Sequence, residues 1–178
     1  MKNFSTIYVM GVSGCGKSTI GMKLSNCFNY DFFDADDLHP KSNVEKMANN
    51  IPLNDLDRKP WLEALNSLAT GRHKERKGSV IACSCLKPQY RKQLQANIEP
   101  NTIFVYLEGS FNVISERMSK RGAHYFNGNT MLLSQFETLV APSESEGINY
   151  IKINIDNISI EECVEKIEHM ILEVCDVA

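Results

Sequence analysis

The stretch Ile7–Ser18, IYVMGVSGCGKS, decides the fold of this 178-residue chain. It opens with a short apolar run rich in β-formers, which predicts a buried strand. The residues that follow, Gly11–Ser18, match the pattern G-x-x-x-x-G-K-[ST] in full. Glycines in this pattern let the backbone turn so that its N–H groups surround an anion of phosphate size. We therefore predict a strand, a phosphate-binding loop and a helix over Thr19–Phe28.

The loop predicts binding of a nucleoside triphosphate, because its residue types suit phosphate and metal. Lys17 would place a positive charge at the β- and γ-phosphates, and the Ser18 hydroxyl can ligate Mg²⁺. The following helix directs its positive N-terminal end at the same anion. A glycine turn with a purely structural role would not explain why Lys and Ser follow the last glycine. The residues predicted to contact the nucleotide are Gly11, Val12, Ser13, Gly14, Cys15, Gly16, Lys17, Ser18 and Thr19.

Composition and charge argue against several other classes of protein. A formal charge of −3 and an isoelectric point near 5.8 disfavour a general nucleic-acid or membrane-surface binder, which is normally basic. The sequence has no signal-peptide pattern and no apolar run near the length of a membrane span, so we expect a cytoplasmic protein. We expect a single domain over residues 1–178.

The six cysteines are too scattered for a disulfide scaffold or a zinc site, so most should be small buried apolar residues. Cys15 differs from the others because it stands inside the phosphate loop. Its oxidation could block the nucleotide, which would make the activity sensitive to peroxide.

Five strand-like runs separated by helical signals predict an α/β fold. Near-continuous apolar strands that alternate with helices indicate a parallel sheet covered on both faces, in three α/β/α layers. The runs are Ile7–Met10, Asp31–Phe33, Ser79–Cys83, Thr102–Leu107 and Tyr150–Ile155. This order suits a compact P-loop kinase core with a helical lid. Ligands in such sheets gather at the carboxyl ends of the strands, so residues directly after each strand should form the site.

Two aspartates follow the second run, and they are candidates for metal binding and proton transfer. Asp34 and Asp36 project to the same side of an extended segment, because side chains alternate there. One can hold a hydrated Mg²⁺ ion beside Ser18, and the other can accept a proton from an attacking hydroxyl. We assign Asp34 to the metal and Asp36 to the base, with an exchange of the two roles left open. The alternative is that both are ordinary turn acids.

A polar, mostly cationic set of residues predicts a pocket for a small anionic, hydroxyl-rich substrate. The planar guanidinium of Arg58 suits a carboxylate or a phosphate. Lys87 and Arg91 are four residues apart and should share one helix face. The alternative for each of these side chains is a solvated surface role. The residues predicted to contact substrate are Asp36, His39, Asn43, Lys46, Arg58, Lys87 and Arg91, mostly within an insertion over about residues 38–78.

Helix patterns complete the prediction. Ser42 with Glu45, and Ser159 with Glu162, each fit a capping box that begins a helix. Trp61 has helical spacing with other apolar residues and is predicted to lie in the core.

A lid is predicted over about residues 115–135. Arg117 and Arg121 are four residues apart, and residues 121–129 suggest a flexible excursion. Arginines on such a segment would close over the triphosphate, exclude water and neutralise charge on the transferring phosphoryl group. The predicted catalytic set is therefore Lys17, Asp36, Arg117 and Arg121.

Five sequence blocks together resemble the gluconokinase family of small P-loop kinases. They are MGVSGCGKST at 10–19, DADDLHPKSNVEKM at 34–47, IPLNDLDRKPWL at 51–62, ACSCLKPQYR at 82–91 and SQFETLVAP at 134–142. The resemblance covers about residues 6–172 with the blocks in matching order. It implies a fold similar to shikimate and nucleoside-monophosphate kinases, with ATP and Mg²⁺ as cofactors. It also implies a homodimer that phosphorylates D-gluconate on its terminal hydroxyl to 6-phospho-D-gluconate, which feeds the pentose phosphate pathway.

The chain departs from the family pattern in two places. Residues 121–126 read Arg-Gly-Ala-His-Tyr-Phe where relatives usually carry Arg-Lys-Gly-His-Phe-Phe, and Asp37 replaces a more usual apolar residue. Two alternatives stay open at this point: a shikimate-type or nucleoside-monophosphate kinase, and a nucleotide-binding regulatory module without catalysis. The second alternative predicts damage to Lys17, Ser18 or the aspartate pair, and all of these residues are present.

Overall fold

The computed structural model describes residues 4–49, 51–120 and 125–176, with side chains over 4–49, 51–120 and 130–175. In this part of the chain the strands are β1 Thr6–Met10, β2 Asp31–Asp34, β3 Ser79–Ala82, β4 Thr102–Glu108 and β5 Tyr150–Asn154. They form one sheet in the order β2-β3-β1-β4-β5, with every pairing parallel. The predicted α/β fold is confirmed, and each predicted run differs from its strand by one residue at one end.

Seven helices connect the strands over the described ranges. They are α1 Lys17–Phe28, α2 Lys41–Ala48, α3 Asp55–Lys74, α4 Pro88–Leu94, α5 Phe111–Lys120, α6 Tyr125–Thr138 and α7 Ile160–Asp176, with 3₁₀ turns at Ala35–Leu38, Glu99–Asn101 and Glu144–Glu146. Helix α6 begins at Tyr125, within the excursion predicted over residues 121–129, and residues 121–124 lie outside the described part of the chain. None of the described helices is both long and apolar enough to cross a membrane.

Helix starts follow their caps, although one predicted cap was misplaced. The box of Ser159 and Glu162 is confirmed: Glu162 N donates to Ser159 Oγ at 3.1 Å, and Ser159 N donates to the Glu162 carboxylate at 2.8 Å. Helix α2 starts one residue before Ser42 and has no side-chain cap, so that box is wrong. An unpredicted box of Asn54 and Asp57 begins α3. Asn and Asp can fill the same two roles as Ser and Glu.

The sheet separates two apolar cores, because successive β1 side chains point to opposite faces. Ile7 and Val9 pack with apolar residues of α1 and α7 in the larger core. Tyr8 and Met10 pack on the other face with residues of α3 and α4. Trp61 belongs to this second core and is 4% exposed, as predicted. Both cores hold the carboxyl end of β1, and with it the phosphate loop, in a fixed place.

Candidate active site

The phosphate loop leaves β1 in a conformation that requires glycine. Gly11, Gly14 and Gly16 have φ angles of +143°, +81° and +103°, which L side chains rarely adopt. A Cβ atom at Gly14 would also lie 2.5 Å from Met118 Cγ. The Lys17 ammonium donates to the Val12 carbonyl at 2.9 Å, so the cation lies folded over the loop. The geometry fits a cradle for phosphate groups.

A cavity of about 250 Å³ joins this loop to the ends of β2 and β3. Its lining residues are Ser13, Gly14, Gly16, Lys17, Ser18, Thr19, Asp34, Asp36, Ala82, Cys83, Ser84 and Gln135. The sequence predicted this meeting point from the rule that ligands gather at the carboxyl ends of parallel strands. The structure brings together both predicted aspartates and the predicted Lys17 and Ser18.

The two aspartates have different surroundings. Ser18 Oγ donates to Asp34 Oδ2 at 2.8 Å, and the Asp36 backbone N–H donates to Asp34 Oδ1 at 3.2 Å. The carboxylate of Asp34 is thus held against the phosphate loop. Over the described ranges, the carboxylate of Asp36 has no hydrogen-bond partner, and it lines the same cavity. This difference suits Asp34 to metal binding and leaves Asp36 able to accept a proton.

The donor set fits a magnesium ion shared with phosphate oxygens. Mg²⁺ usually binds one or two protein ligands and keeps several waters, with substrate phosphates completing its octahedron. Ser18 and Asp34 supply one hydroxyl and one carboxylate at hydrogen-bond distance. The part of the chain that the structure describes holds no group of three or more His, Cys, Asp or Glu able to bind a metal by themselves.

His39 and Asn43 lie beside the aspartates and are locked by their neighbours. The His39 ring stacks on Trp61 at 4.3 Å between centroids with an interplanar angle of 12°. Asn43 Nδ2 lies 3.3 Å from His39 Nδ1 and donates to the Asp57 carbonyl at 2.8 Å. Because the amide nitrogen is a donor, Nδ1 accepts and the His39 proton is on Nε2. Burial lowers the pKa of His39, which favours this neutral form.

The predicted lysines are already paired with carboxylates. Lys46 Nζ lies 2.6 Å from Asp57 Oδ1, and Lys87 Nζ lies 2.8 Å from Asp55 Oδ1. Hydrogen bonds from Lys87 and then from Tyr90 lower the pKa of Asp55 to about 2. A substrate anion would compete with these aspartates for both lysines.

Arg58 is the least neutralised cation of this predicted set. Its Nη1 donates to the Leu53 carbonyl, and its guanidinium carbon lies 6.0 Å from the centroid of the Tyr90 ring. No carboxylate among the described residues lies within ion-pair distance of it. Both Asp36 and Arg58 affect the pKa of His39 electrostatically, so the three groups are near one another. Arg58 is therefore the best placed of these cations to bind an anionic substrate.

The structure corrects the substrate-binding role predicted for Arg91. Its side chain is fully buried, with Nε and Nη2 donating to the Glu146 carboxylate at 2.8 and 2.6 Å and Nη1 donating to the Cys85 carbonyl at 2.8 Å. A buried guanidinium with these partners cannot contact a ligand in the cavity. Arg91 instead ties the loop after β3 to the 3₁₀ turn that contains Glu146.

Replacing Arg91 by methionine should lower the free energy of unfolding by about 3–5 kcal/mol, because it leaves the mostly buried Glu146 carboxylate without its partner. Urea or guanidinium unfolding measures the loss. The double variant Arg91→Met/Glu146→Leu should recover a large part of it, and Glu144→Ala in the same turn is the exposed control. Wild-type stability in Arg91→Met would contradict the structural role.

Arg117 does not line the cavity that contains the two aspartates. Its Nη2 donates to the Ile155 carbonyl at 2.7 Å, and it lines a second cavity of about 420 Å³ with Cys15, Ile158 and Cys163. This cavity borders the loop before α7, which commonly approaches the adenine in this architecture, by analogy of fold alone. Arg121, predicted as its partner in the lid, lies outside the described residues.

The redox hypothesis for Cys15 finds no support in its surroundings. The side chain is fully buried, and burial raises the pKa of its thiol, with Lys17 opposing that shift. The thiolate is the form that oxidants attack, so this environment makes the cysteine less reactive. The structure gives Cys15 a packing role, with Sγ filling the space beside Gly11. All six cysteines are free thiols.

Gln135 is a site residue to which sequence reasoning gave no role. It lies on α6, and its Oε1 accepts a hydrogen bond from the Ser13 backbone N–H at 2.6 Å. The only signal was its place in the SQFETLVAP block, which carried the family resemblance without a function.

Comparisons with known proteins agree on the family. A model of the shikimate kinase family matches residues 13–172. The chain is 46% identical over 151 residues to the thermoresistant gluconokinase of Escherichia coli K12, covering 84% of this chain and 85% of that protein. It is 42% identical over 158 residues to the gluconokinase of Arabidopsis thaliana, covering 83% of each.

Solved structures extend this agreement to the fold. The structure of a gluconokinase from Sinorhizobium meliloti 1021 superposes with a TM-score of 0.87 at 34% identity, covering 98% of this chain and 95% of that one. The shikimate kinase from Acinetobacter baumannii shares the fold at 19% identity with a TM-score of 0.59. The chain belongs to the gluconokinase family, within the wider shikimate kinase family of α/β P-loop kinases.

Proposed function

We propose that this chain transfers the γ-phosphoryl group of ATP to the terminal hydroxyl of D-gluconate, giving 6-phospho-D-gluconate and ADP. The observation that carries the proposal is the meeting of Lys17, Asp34 and Asp36 in one cavity, with Ser18 bonded to Asp34 at 2.8 Å. The gluconokinase relatives support the choice of substrate. The product would feed the pentose phosphate pathway.

Each loop residue has a task in this mechanism. The Gly11 and Ser13 N–H groups donate to Ser84 and Gln135, and other backbone N–H groups of the loop bind the phosphates. Lys17 neutralises charge at the β/γ end of the phosphate chain. Ser18 and Asp34 would hold Mg²⁺. When bound, Mg·ATP supplies the transferable phosphoryl group and a cation that offsets its negative charge. Asp36 accepts the proton of the substrate hydroxyl as that oxygen attacks.

The substrate side uses groups that suit an open-chain polyol with one carboxylate. Arg58 would bind the carboxylate, because its planar fork matches two carboxylate oxygens. The Nε2–H of His39 and the polar heads of Asn43, Lys46 and Lys87 would contact hydroxyl groups. Arg117 and Arg121 would close the lid over the triphosphate, so that a sugar hydroxyl rather than water receives the phosphoryl group.

A screen for ADP release tests the assignment directly. The purified chain with ATP and Mg²⁺ should release ADP with D-gluconate and not with shikimate or nucleoside monophosphates, and other sugar acids in the same screen measure its selectivity. Turnover only with nucleotides, or only with shikimate, would overturn the assignment of gluconate as the substrate. No turnover with any acceptor would favour the regulatory module.

Replacing Arg58 by alanine should raise the KM for gluconate by about 10- to 100-fold, since a hydrogen bond to a charged group contributes about 1.5–3 kcal/mol. The KM for ATP should stay unchanged. Steady-state kinetics with each substrate varied in turn measure both values. Lys59→Ala, the exposed neighbour on α3, is the matched control. Equal increases in the two KM values would assign Arg58 to phosphate instead.

A cytoplasmic homodimer is part of the same proposal. Four apolar side chains of one short segment are exposed and could contact a second copy of the chain. They are Val44, Met47, Ile51 and Leu56, at 50%, 43%, 50% and 80% exposure. Light scattering on the purified chain should give twice the 20.1 kDa of a single chain.

A further inference from the structure

Gln135 contacts the phosphate loop in a way that fixes its amide orientation. The Ser13 backbone N–H is a donor, so the atom facing it at 2.6 Å must be the amide oxygen. The Nε2 group therefore points away from Ser13 with two N–H donors. Across the described part of the chain this Nε2 has no hydrogen-bond partner, and Gln135 lines the cavity that holds Lys17 and Asp36.

Packing on both sides of Gln135 fixes the end of α6 that carries it. Leu132 is fully buried in the larger core, and Phe136 packs edge-to-face with Phe111 at 5.7 Å between centroids. Just after the helix, the Val140 N–H donates to the Leu86 carbonyl at 2.9 Å. A donor fixed in this way before a ligand arrives needs no reorganisation when charge develops near it.

One peptide unit of the loop connects Gln135 to Lys17. The Val12 carbonyl accepts from Lys17 Nζ at 2.9 Å, and the N–H of the same peptide, that of Ser13, donates to Gln135. In a loop of this pattern the lysine reaches the β- and γ-phosphates. Gln135 and Lys17 therefore both contact this peptide, and both line the cavity that contains Asp36 and that the acceptor hydroxyl must enter.

We propose that Gln135 is a further catalytic residue, whose Nε2 donates a hydrogen bond to the γ-phosphoryl group while its Oε1 holds the Ser13 N–H in place. The proposal rests on the proposed function for the identity of the reaction, and on the contacts of Gln135 for the role. The Gln135 amide can make both hydrogen bonds because its oxygen accepts and its nitrogen donates. A carboxylate at this position would still accept the hydrogen bond from the Ser13 N–H, but its negative charge would repel the γ-phosphoryl group.

Two variants separate the holding role from the donating role. Gln135→Met removes both hydrogen bonds at similar volume and should lower kcat for gluconate about 10- to 100-fold, the range for a lost hydrogen bond to a charged group. Gln135→Glu keeps an acceptor for Ser13 and should lower kcat at least as much, because a negative charge would face the phosphoryl group. Wild-type kcat in either variant would overturn the proposal.

Nucleotide binding gives a readout that does not depend on turnover. In calorimetric titrations with Mg²⁺, Gln135→Glu should bind a non-hydrolysable ATP analogue at least about tenfold more weakly, as loss of a charge-assisted hydrogen bond implies. Its affinity for ADP, which lacks the γ-phosphate, should be unchanged. Equal losses for both nucleotides would show a distorted loop rather than a lost γ-phosphate contact, and would overturn the proposal.

A matched variant and an amide-exchange measurement separate the two roles of Gln135 from indirect effects. Glu137→Gln, at an exposed position two residues further on α6, should leave affinity and kcat unchanged. In the nucleotide-free protein, amide exchange at Ser13 should speed up in Gln135→Met and stay slow in Gln135→Glu, and slow exchange in both would contradict the holding contact. A wild-type chain that binds the analogue but does not phosphorylate gluconate would refute the proposed function alone. The affinities of Gln135→Glu for the ATP analogue and for ADP would then still show whether Gln135 contacts the γ-phosphate.

Discussion

Replacing Asp36 by asparagine should lower kcat for gluconate phosphorylation about 10²- to 10⁴-fold, the range that a positioned general base contributes. Asparagine keeps the size and one acceptor oxygen of the side chain but cannot take up the proton of the attacking hydroxyl. The Asp36 carboxylate is exposed to the cavity and, among the described residues, has no hydrogen-bond partner, so its loss should not destabilise the fold. ATP binding, measured by calorimetry, should be kept.

Two neighbouring aspartates provide the controls for this variant. Asp37→Asn changes an exposed carboxylate that does not line the cavity and should leave kcat unchanged. Asp34→Asn should instead raise the Mg²⁺ concentration needed for half-maximal rate, because Asp34 is the carboxylate bonded to Ser18. If Asp36→Asn shows the shifted Mg²⁺ requirement and Asp34→Asn does not, the two roles are exchanged. If the Asp36→Asn enzyme kept most of its activity, Asp36 would not be the general base.

The sequence was most informative where one local pattern determines both conformation and position. The apolar run before Gly11 must be a buried strand, and the glycines that follow have φ angles that few other residues adopt. The parallel sheet rule placed the Asp-x-Asp pair at the strand end, but the predicted alternation of an extended segment was wrong, because Asp34 ends β2 and Asp36 lies in the 3₁₀ turn Ala35–Leu38. For the position of these features the local chain and the parallel sheet rule were sufficient.

Long-range partners were not predictable in this way. Lys87 and Arg91 are both cationic and lie four residues apart, so the sequence pattern does not distinguish their roles. The difference between them comes from Glu146, 55 residues from Arg91, which pairs with its buried guanidinium. Gln135 meets Ser13 across 122 residues, and no periodicity in α6 marks it. A single sequence specifies which face of a helix is apolar, but not which polar side chain will find a partner on another element.

Replacing Lys17 by alanine should weaken ATP binding about 10- to 100-fold, as loss of a hydrogen bond to a charged group implies. It should also lower kcat about 10²- to 10³-fold, the cost of removing one preorganised stabilising group. The ammonium now lies 2.9 Å from the Val12 carbonyl, within reach of the cavity where the β- and γ-phosphates would lie. Calorimetry with Mg·ATP and steady-state kinetics measure the two effects separately.

Lys23 on the same helix makes the comparison specific. It is an exposed lysine whose Nζ lies 3.1 Å from Glu161, and a surface ion pair of this kind contributes only about 0–1 kcal/mol. Lys23→Ala should therefore change neither ATP affinity nor kcat, although it removes the same charge from the same helix. Equal effects of the two variants would show that net charge matters rather than position. Unchanged kinetics in Lys17→Ala would refute the phosphate loop itself, because no other described lysine lines that cavity.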